Sequence, residues 1–239
     1  MRIVVKRTPE ELAAEAADIV LEELTVPGPA NVGLAGGSTP AAAYRLIGKA
    51  PIEWDRVTLW LGDERWVPLD DRASNTRMAR AELGAAAGAR LLAPDVSLGD
   101  PEQSARAYET TLASVFASQG DAPGTVVLGL GSDGHTASLF PGTAALGAHD
   151  RSYVSNWVPA LGAWRLTATV KLLAKARHVL FLVAGADKAP VVAEILDDSI
   201  AHPARLVAEG ARHVTWLLDD AAASHLKSPP RRPEPPTRS

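Results

Sequence analysis

The run from His178 to Ala184, HVLFLVA, is apolar almost throughout, with no alternation that would leave one face polar. Such a strand belongs where both faces are covered, as in a parallel sheet with helices packed on each side. It ends at Gly185-Ala186-Asp187-Lys188, which opens a helix through Leu196. The same order of strand, loop and helix recurs from the start of the chain. Arg2 to Lys6 alternates into a first strand, and Thr8-Pro9-Glu10-Glu11 is a capping box that starts a helix to about Leu24. Val26-Pro27-Gly28-Pro29 breaks that helix. Asn31 to Ala35 and Val57 to Leu61 read as further strands, and Ala41 to Ile47, Thr76 to about Ala87 and Pro101 to Ser118 as helices. Later strands are expected at residues 153–158, 165–170 and 213–218, with helices at 171–175 and 219–226. Alternation of this kind implies an α/β fold: one domain with a doubly wound, mostly parallel sheet, helices on both faces, and loops gathered at one edge.

Val126 to Gly142, VVLGLGSDGHTASLFPG, lies in the middle of this pattern. It opens as a buried strand and passes into a turn in which Gly129, Gly131 and Gly134 permit positive φ or close approach to a ligand. Asp133 and His135 put an acid and a base two residues apart, and imidazole is the side chain best suited to trading protons near neutral pH. A helix is expected to start near Thr136 or Ser138 and to be stopped early by Pro141-Gly142. The three glycines also spell the dinucleotide fingerprint G-x-G-x-x-G. However, Pro141 and Gly142 leave little room for the helix behind it, and no βαβ unit ending in a ribose-binding acid follows. A plain surface turn capped by His135 is the other reading. The clustering of Gly, Asp, His, Thr and Ser at the carboxyl end of a strand, where open α/β sheets place ligands, favours a site.

Two other loops have the same character. Gly36-Gly37-Ser38-Thr39-Pro40 frees the backbone, offers two hydroxyls and starts a helix, whose N-terminal N–H groups and dipole suit a phosphate; an ordinary N-cap reads equally well. Ser38 is not a nucleophile elbow, because Pro40 stands where G-x-S-x-G needs its second glycine. Gly62 to Pro68, GDERWVP, concentrates three charges at a strand end, more than a solvated turn needs.

Composition narrows the function classes. The chain of 239 residues is 46% hydrophobic, enough for a full core, and has no run of about 18 apolar residues to span a membrane. Its first residues read as a strand rather than a signal peptide, so a cytoplasmic protein is expected. The absence of cysteine excludes disulfides and thiolate metal sites, and the six histidines have no close metal-ligand spacing. Residues 227–239 carry four Lys/Arg, one Glu and five prolines. We read them as a disordered tail of charge +3 behind a domain of residues 1–226, which is then −7 within a total of −4. A body this acidic offers no general surface for nucleic acid, so any phosphate is held locally. The oligomeric state, monomer or dimer, is left open.

The segments GLAGGSTP, GDERWVP, SNTRMAR, GLGSDGHTASLFPG, RLTATVKLL and LVAGADKA occur in this order across about residues 31–195, and with them the chain resembles the 6-phosphogluconolactonase family. The resemblance implies hydrolysis of 6-phosphoglucono-lactone to 6-phosphogluconate in the oxidative pentose phosphate route, without metal or organic cofactor. It also implies a fold related to that of glucosamine-6-phosphate deaminase. By resemblance His135 is the base with Asp133 beside it. Asp63 and Arg65 complete the catalytic set at the sugar end, and Gly37, Ser38, Thr39, Arg165 and Lys188 bind the phosphate. Two alternatives are weaker. An amino-sugar-phosphate deaminase or isomerase of the related family carries Glu five residues after the motif His, where this chain has Phe140. A sugar-phosphate-sensing regulator carries an N-terminal helix-turn-helix, whereas here the first strand is expected from residue 2.

Overall fold

The computed structural model describes residues 1–88 and 90–228. Ten strands and seven helices follow one another as β1 (Arg2–Lys6), α1 (Pro9–Thr25), β2 (Ala30–Leu34), α2 (Ser38–Ile47), β3 (Val57–Leu61), β4 (Asp63–Arg65), α3 (Asn75–Gly88), β5 (Leu91–Leu92), α4 (Pro101–Ala117), β6 (Thr125–Leu128), β7 (Tyr153–Val158), β8 (Ala163–Ala168), α5 (Val170–Ala174), β9 (His178–Val183), α6 (Ala189–Leu196), α7 (Pro203–Gly210) and β10 (Val214–Asp219). Seven strands form one parallel sheet in the order β1-β10-β9-β6-β2-β3-β5, and β4-β8-β7 make a small antiparallel sheet beside it.

The apolar run that demanded two covered faces has them. Val179, Phe181 and Val183 of β9 point into one core with Trp216, Leu112 and Val192, while Leu180 and Leu182 point into the other with Leu12, Tyr44 and Leu83. Helices α1 to α3 cover the second face; α4 to α7 and the small sheet cover the first. The chain winds outward from β2 to β3 and β5, then returns to place β6 on the other side of β2. Loops leaving the carboxyl ends of β2 and β6 therefore diverge, and the crevice between them is where a doubly wound sheet binds its ligand. Among the described residues, no helix is long and apolar enough to cross a membrane.

Several local expectations change. Helix α2 starts at Ser38 rather than Ala41, because Gly37, at φ +109°, makes the turn, and Pro40 is tolerated in the first turn, where its missing N–H has no intrahelical acceptor. No helix follows Thr136: Ala137 takes φ +48° and Leu139 N–H donates back to Thr136 O (3.0 Å), so the stretch coils into tight turns. The helix expected over residues 219–226 is instead a series of turns; the Asp219 carboxylate accepts from Ala222 N–H (2.7 Å) as a helix cap would, and from Gly185 N–H (3.0 Å). Helix α7, strand β5 and the small antiparallel sheet were not anticipated. Of the tail, residues 229–239 lie outside the described residues. Lys227, placed in it by composition, is bonded to the end of α6 through its N–H to Asp197 (2.8 Å) and its ammonium to Asp198 (2.5 Å).

Candidate active site

A cavity of about 300 Å³ opens at the carboxyl ends of β2, β3, β6 and β9. The segments that follow these four strands line it, and with them come Gly37, Ser38 and Thr39, Asp63 and Arg65, His135, and Lys188. Seven of the nine residues singled out from the sequence thus meet in one place. Asp133 stands behind His135, and Arg165 is displaced to the neighbouring strand β8.

His135 is fixed on three sides. Its Nδ1 lies 2.6 Å from Asp133 Oδ1, and the same oxygen accepts the His135 backbone N–H (3.1 Å). Phe140 stacks on the ring with centroids 4.0 Å apart and planes 26° from parallel. The ring also lies against Gly131, where a Cβ would fall 2.0 Å from Nδ1; no other residue fits there without moving the imidazole. Burial resists ionisation of Asp133, but the amide and ring of His135 outweigh it and hold the carboxyl below its usual range. With Nδ1–H donated to Asp133, the lone pair of a neutral ring is on Nε2.

In the lining of the same cavity, the first N–H groups of α2, those of Ser38 and Thr39, have no intrahelical acceptor, and no side chain caps them. Lys188 faces the same cavity and pairs with Asp187 at 3.1 Å. Gly185, which opens the Lys188 turn, is held by the buried carboxylate of Asp219. Arg65 and Arg165 are direct partners across β4 and β8. Burial first, and then the charge of Arg65, lowers the pKa of Arg165. Like charges opposed on adjacent strands are unfavourable, and the carboxylates of Asp63 and Glu64 offset part of this repulsion at Arg165.

The cluster Asp63-Glu64-Arg65 divides its labour. Asp63 lines the cavity, but both its oxygens are engaged, Oδ2 by Ser138 Oγ (2.7 Å) and Oδ1 by Asn75 Nδ2 (3.3 Å), so it braces β4 against the His135 loop. Glu64 is fully buried and accepts the backbone N–H groups of Arg65, Asn75 and Thr76, each at 2.7 Å, and the hydroxyl of Thr76 at 2.5 Å. It therefore caps α3 from inside. Glu64→Ala strands the buried donors of Ser74, Asn75 and Thr76 and is expected to cost on the order of 3 kcal/mol or more, a fall in Tm of roughly 10 °C. A drop below about 2 °C by calorimetry would mean that water replaces the carboxylate.

Sequence reasoning passed over the bracing roles of Glu64, Asn75 and Ser138 and the stacking role of Phe140. All four stand inside quoted motifs, so the signal was there, but a motif does not say which side chain points inward.

The model of the family described as glucosamine-6-phosphate isomerases/6-phosphogluconolactonase matches residues 6–216. A 6-phosphogluconolactonase of Synechocystis sp. is 39% identical over 210 residues, 84% of this chain and 86% of that protein. One from Nostoc sp. is 35% identical over 242 residues, 95% of this chain and 99% of its own length. Among solved structures, the 6-phosphogluconolactonase of Trypanosoma brucei superposes with a TM-score of 0.81 at 30% identity, covering 94% of this chain and 98% of that one. A monomeric glucosamine-6-phosphate deaminase superposes at 0.80 with 24% identity over 94% of this chain and all (100%) of that one, a likeness of fold.

Proposed function

The chain belongs to the glucosamine-6-phosphate isomerase/6-phosphogluconolactonase family, and from that premise and the cavity we infer that it hydrolyses 6-phospho-D-glucono-1,5-lactone to 6-phospho-D-gluconate, a step of the oxidative pentose phosphate route. The observation that carries the mechanism is that one cavity is lined both by an Asp-oriented imidazole and by an uncapped helix N-terminus with a lysine. A lactone that carries a phosphate calls for both.

In the proposed reaction the phosphate binds the N–H groups of Ser38 and Thr39 and the ammonium of Lys188, with Gly37 letting the backbone approach. Arg165, opposite Arg65, adds positive charge beside the cavity. His135 Nε2 takes a proton from water as the water oxygen bonds to the lactone carbonyl carbon. The carbonyl becomes an oxyanion, for which Arg65 is the charged partner in the lining. When the bond from that carbon to the ring oxygen breaks, imidazolium returns its proton to the ring oxygen. The products are a hydroxyl and a carboxylic acid that ionises into solvent. Asp133 holds the ring in the required tautomer and stabilises imidazolium between the two transfers. The carboxylate that the deaminases carry five residues after the motif His is replaced by Phe140, which packs on the imidazole and supplies no proton. The cysteine-free chain suits the reducing cytoplasm, where we place the enzyme.

Freshly generated 6-phosphoglucono-δ-lactone, with spontaneous hydrolysis subtracted, is the test. Turnover of the lactone and no ammonia from glucosamine 6-phosphate is expected. Ammonia release without lactone turnover would reverse the assignment.

A further inference from the structure

We propose that His202, paired with Glu194, is a positioning residue for the reaction, clamping the Asp133–His135 turn from behind through Gly134; the proposal rests on the lactonase reading above. Gly134 is buried and takes φ +77°, and a Cβ built on it would fall 2.3 Å from His202 Nδ1 and 2.4 Å from Cγ. The His202 ring thus occupies the volume that a side chain at 134 would need. It is anchored from the other direction, since its Nε2 lies 2.7 Å from Glu194 Oε2, on α6.

The backbone closes the clamp. His202 is the N-cap of α7, and the N–H of Ala204, a first-turn donor with no intrahelical acceptor, donates to Gly134 O (3.1 Å). Gly134 N–H donates to Gly131 O (3.0 Å), and Gly131 N–H to His135 O (2.8 Å). The peptide between Asp133 and His135 is therefore fixed on one side by its own turn and on the other by α7 and the His202 ring. The Asp133 contacts to His135 span that same residue, so a shift of Gly134 moves the carboxylate relative to the imidazole. His202 is only 17% exposed and does not line the cavity, which separates its role from substrate binding.

The consequence is a division between kcat and KM. Removing the clamp loosens the base but leaves the Ser38, Thr39 and Lys188 ligands in place. His202→Ala is expected to lower kcat on 6-phosphoglucono-δ-lactone by about tenfold, less than the roughly hundredfold that a full ångström of misplacement can cost. KM should stay within about twofold. Glu194→Ala, at a position 42% exposed and therefore safe for folding, should lower kcat in the same direction. The double variant should add little to His202→Ala, because both changes release one ring. His202→Gln, which keeps a donor toward Glu194, should recover part of the loss.

Unchanged kcat in folded His202→Ala and Glu194→Ala, or a rise in KM at constant kcat, would overturn the proposal while leaving the lactonase reading intact. If His202→Ala does not fold, Glu194→Ala decides alone by the same criterion. Absence of lactone turnover by the unaltered chain would instead remove the reading on which the proposal rests.

Discussion

His135→Ala is expected to lower the catalysed rate on 6-phosphoglucono-δ-lactone by about 10²–10⁴ while KM changes little. The asymmetry follows from a division of roles. The ring and the proposed phosphate ligands, the α2 N-terminus and Lys188, are separate groups of one lining, so its removal deletes proton transfer without removing those ligands. Structural damage should be slight, because the ring is 29% exposed and its contacts are with its own loop and Phe140. The pH dependence has a definite sign. A base must be neutral to act, so kcat/KM should fall on acidification as imidazole becomes protonated. Asp133, held below the usual carboxylate range, stays ionised through that descent and does not contribute to it. An acid limb that persists unchanged in the residual activity of His135→Ala would assign it to another group.

Lys188→Ala is expected to raise KM by roughly ten- to a hundredfold, the loss of one charge-assisted hydrogen bond of about 1.5–3 kcal/mol to a dianion. The effect should reside in KM, since the reacting carbonyl is remote from the phosphate. Arg165→Ala should raise KM in the same direction by less, about tenfold, because its guanidinium stands outside the cavity lining and donates to Trp164 O (3.0 Å). The control is unphosphorylated gluconolactone: the unaltered protein should turn it over poorly, and Lys188→Ala should leave that poor rate alone. Equal efficiency of the unaltered protein on both lactones would show that the site has no phosphate clamp.

The sheet was legible because its signals are local. HVLFLVA can only be a strand covered on both faces, and the stops and starts at Val26–Pro29, Gly62 and Gly185 punctuate the chain where the turns occur. The crevice was legible for the same reason: GGSTP, GDERWVP and GLGSDGH each stand at a strand's carboxyl end, and a doubly wound sheet brings such ends together. What failed was decided by contacts distant in sequence. The partners of Asp63 and Glu64 are such contacts: Asp63 is bonded to Ser138, 75 residues on, and Glu64 caps a helix beginning 11 residues later. The Asp219 carboxylate is shared with Gly185, 34 residues back, a contact no local pattern announces. Helix α7 went unread, though Pro203 at its first position is a start signal; its place against Gly134 is a tertiary fact.

The most direct test of the central claim is the turnover of folded His135→Gln on freshly generated 6-phosphoglucono-δ-lactone, measured above spontaneous hydrolysis. Glutamine keeps hydrogen-bonding capacity and much of the bulk that packs between Gly131 and Phe140, but it cannot take up a proton. The account predicts a rate about as low as that of His135→Ala, with unaltered melting temperature and product affinity. Near-normal turnover by this variant would contradict it and show that the imidazole only braces its loop.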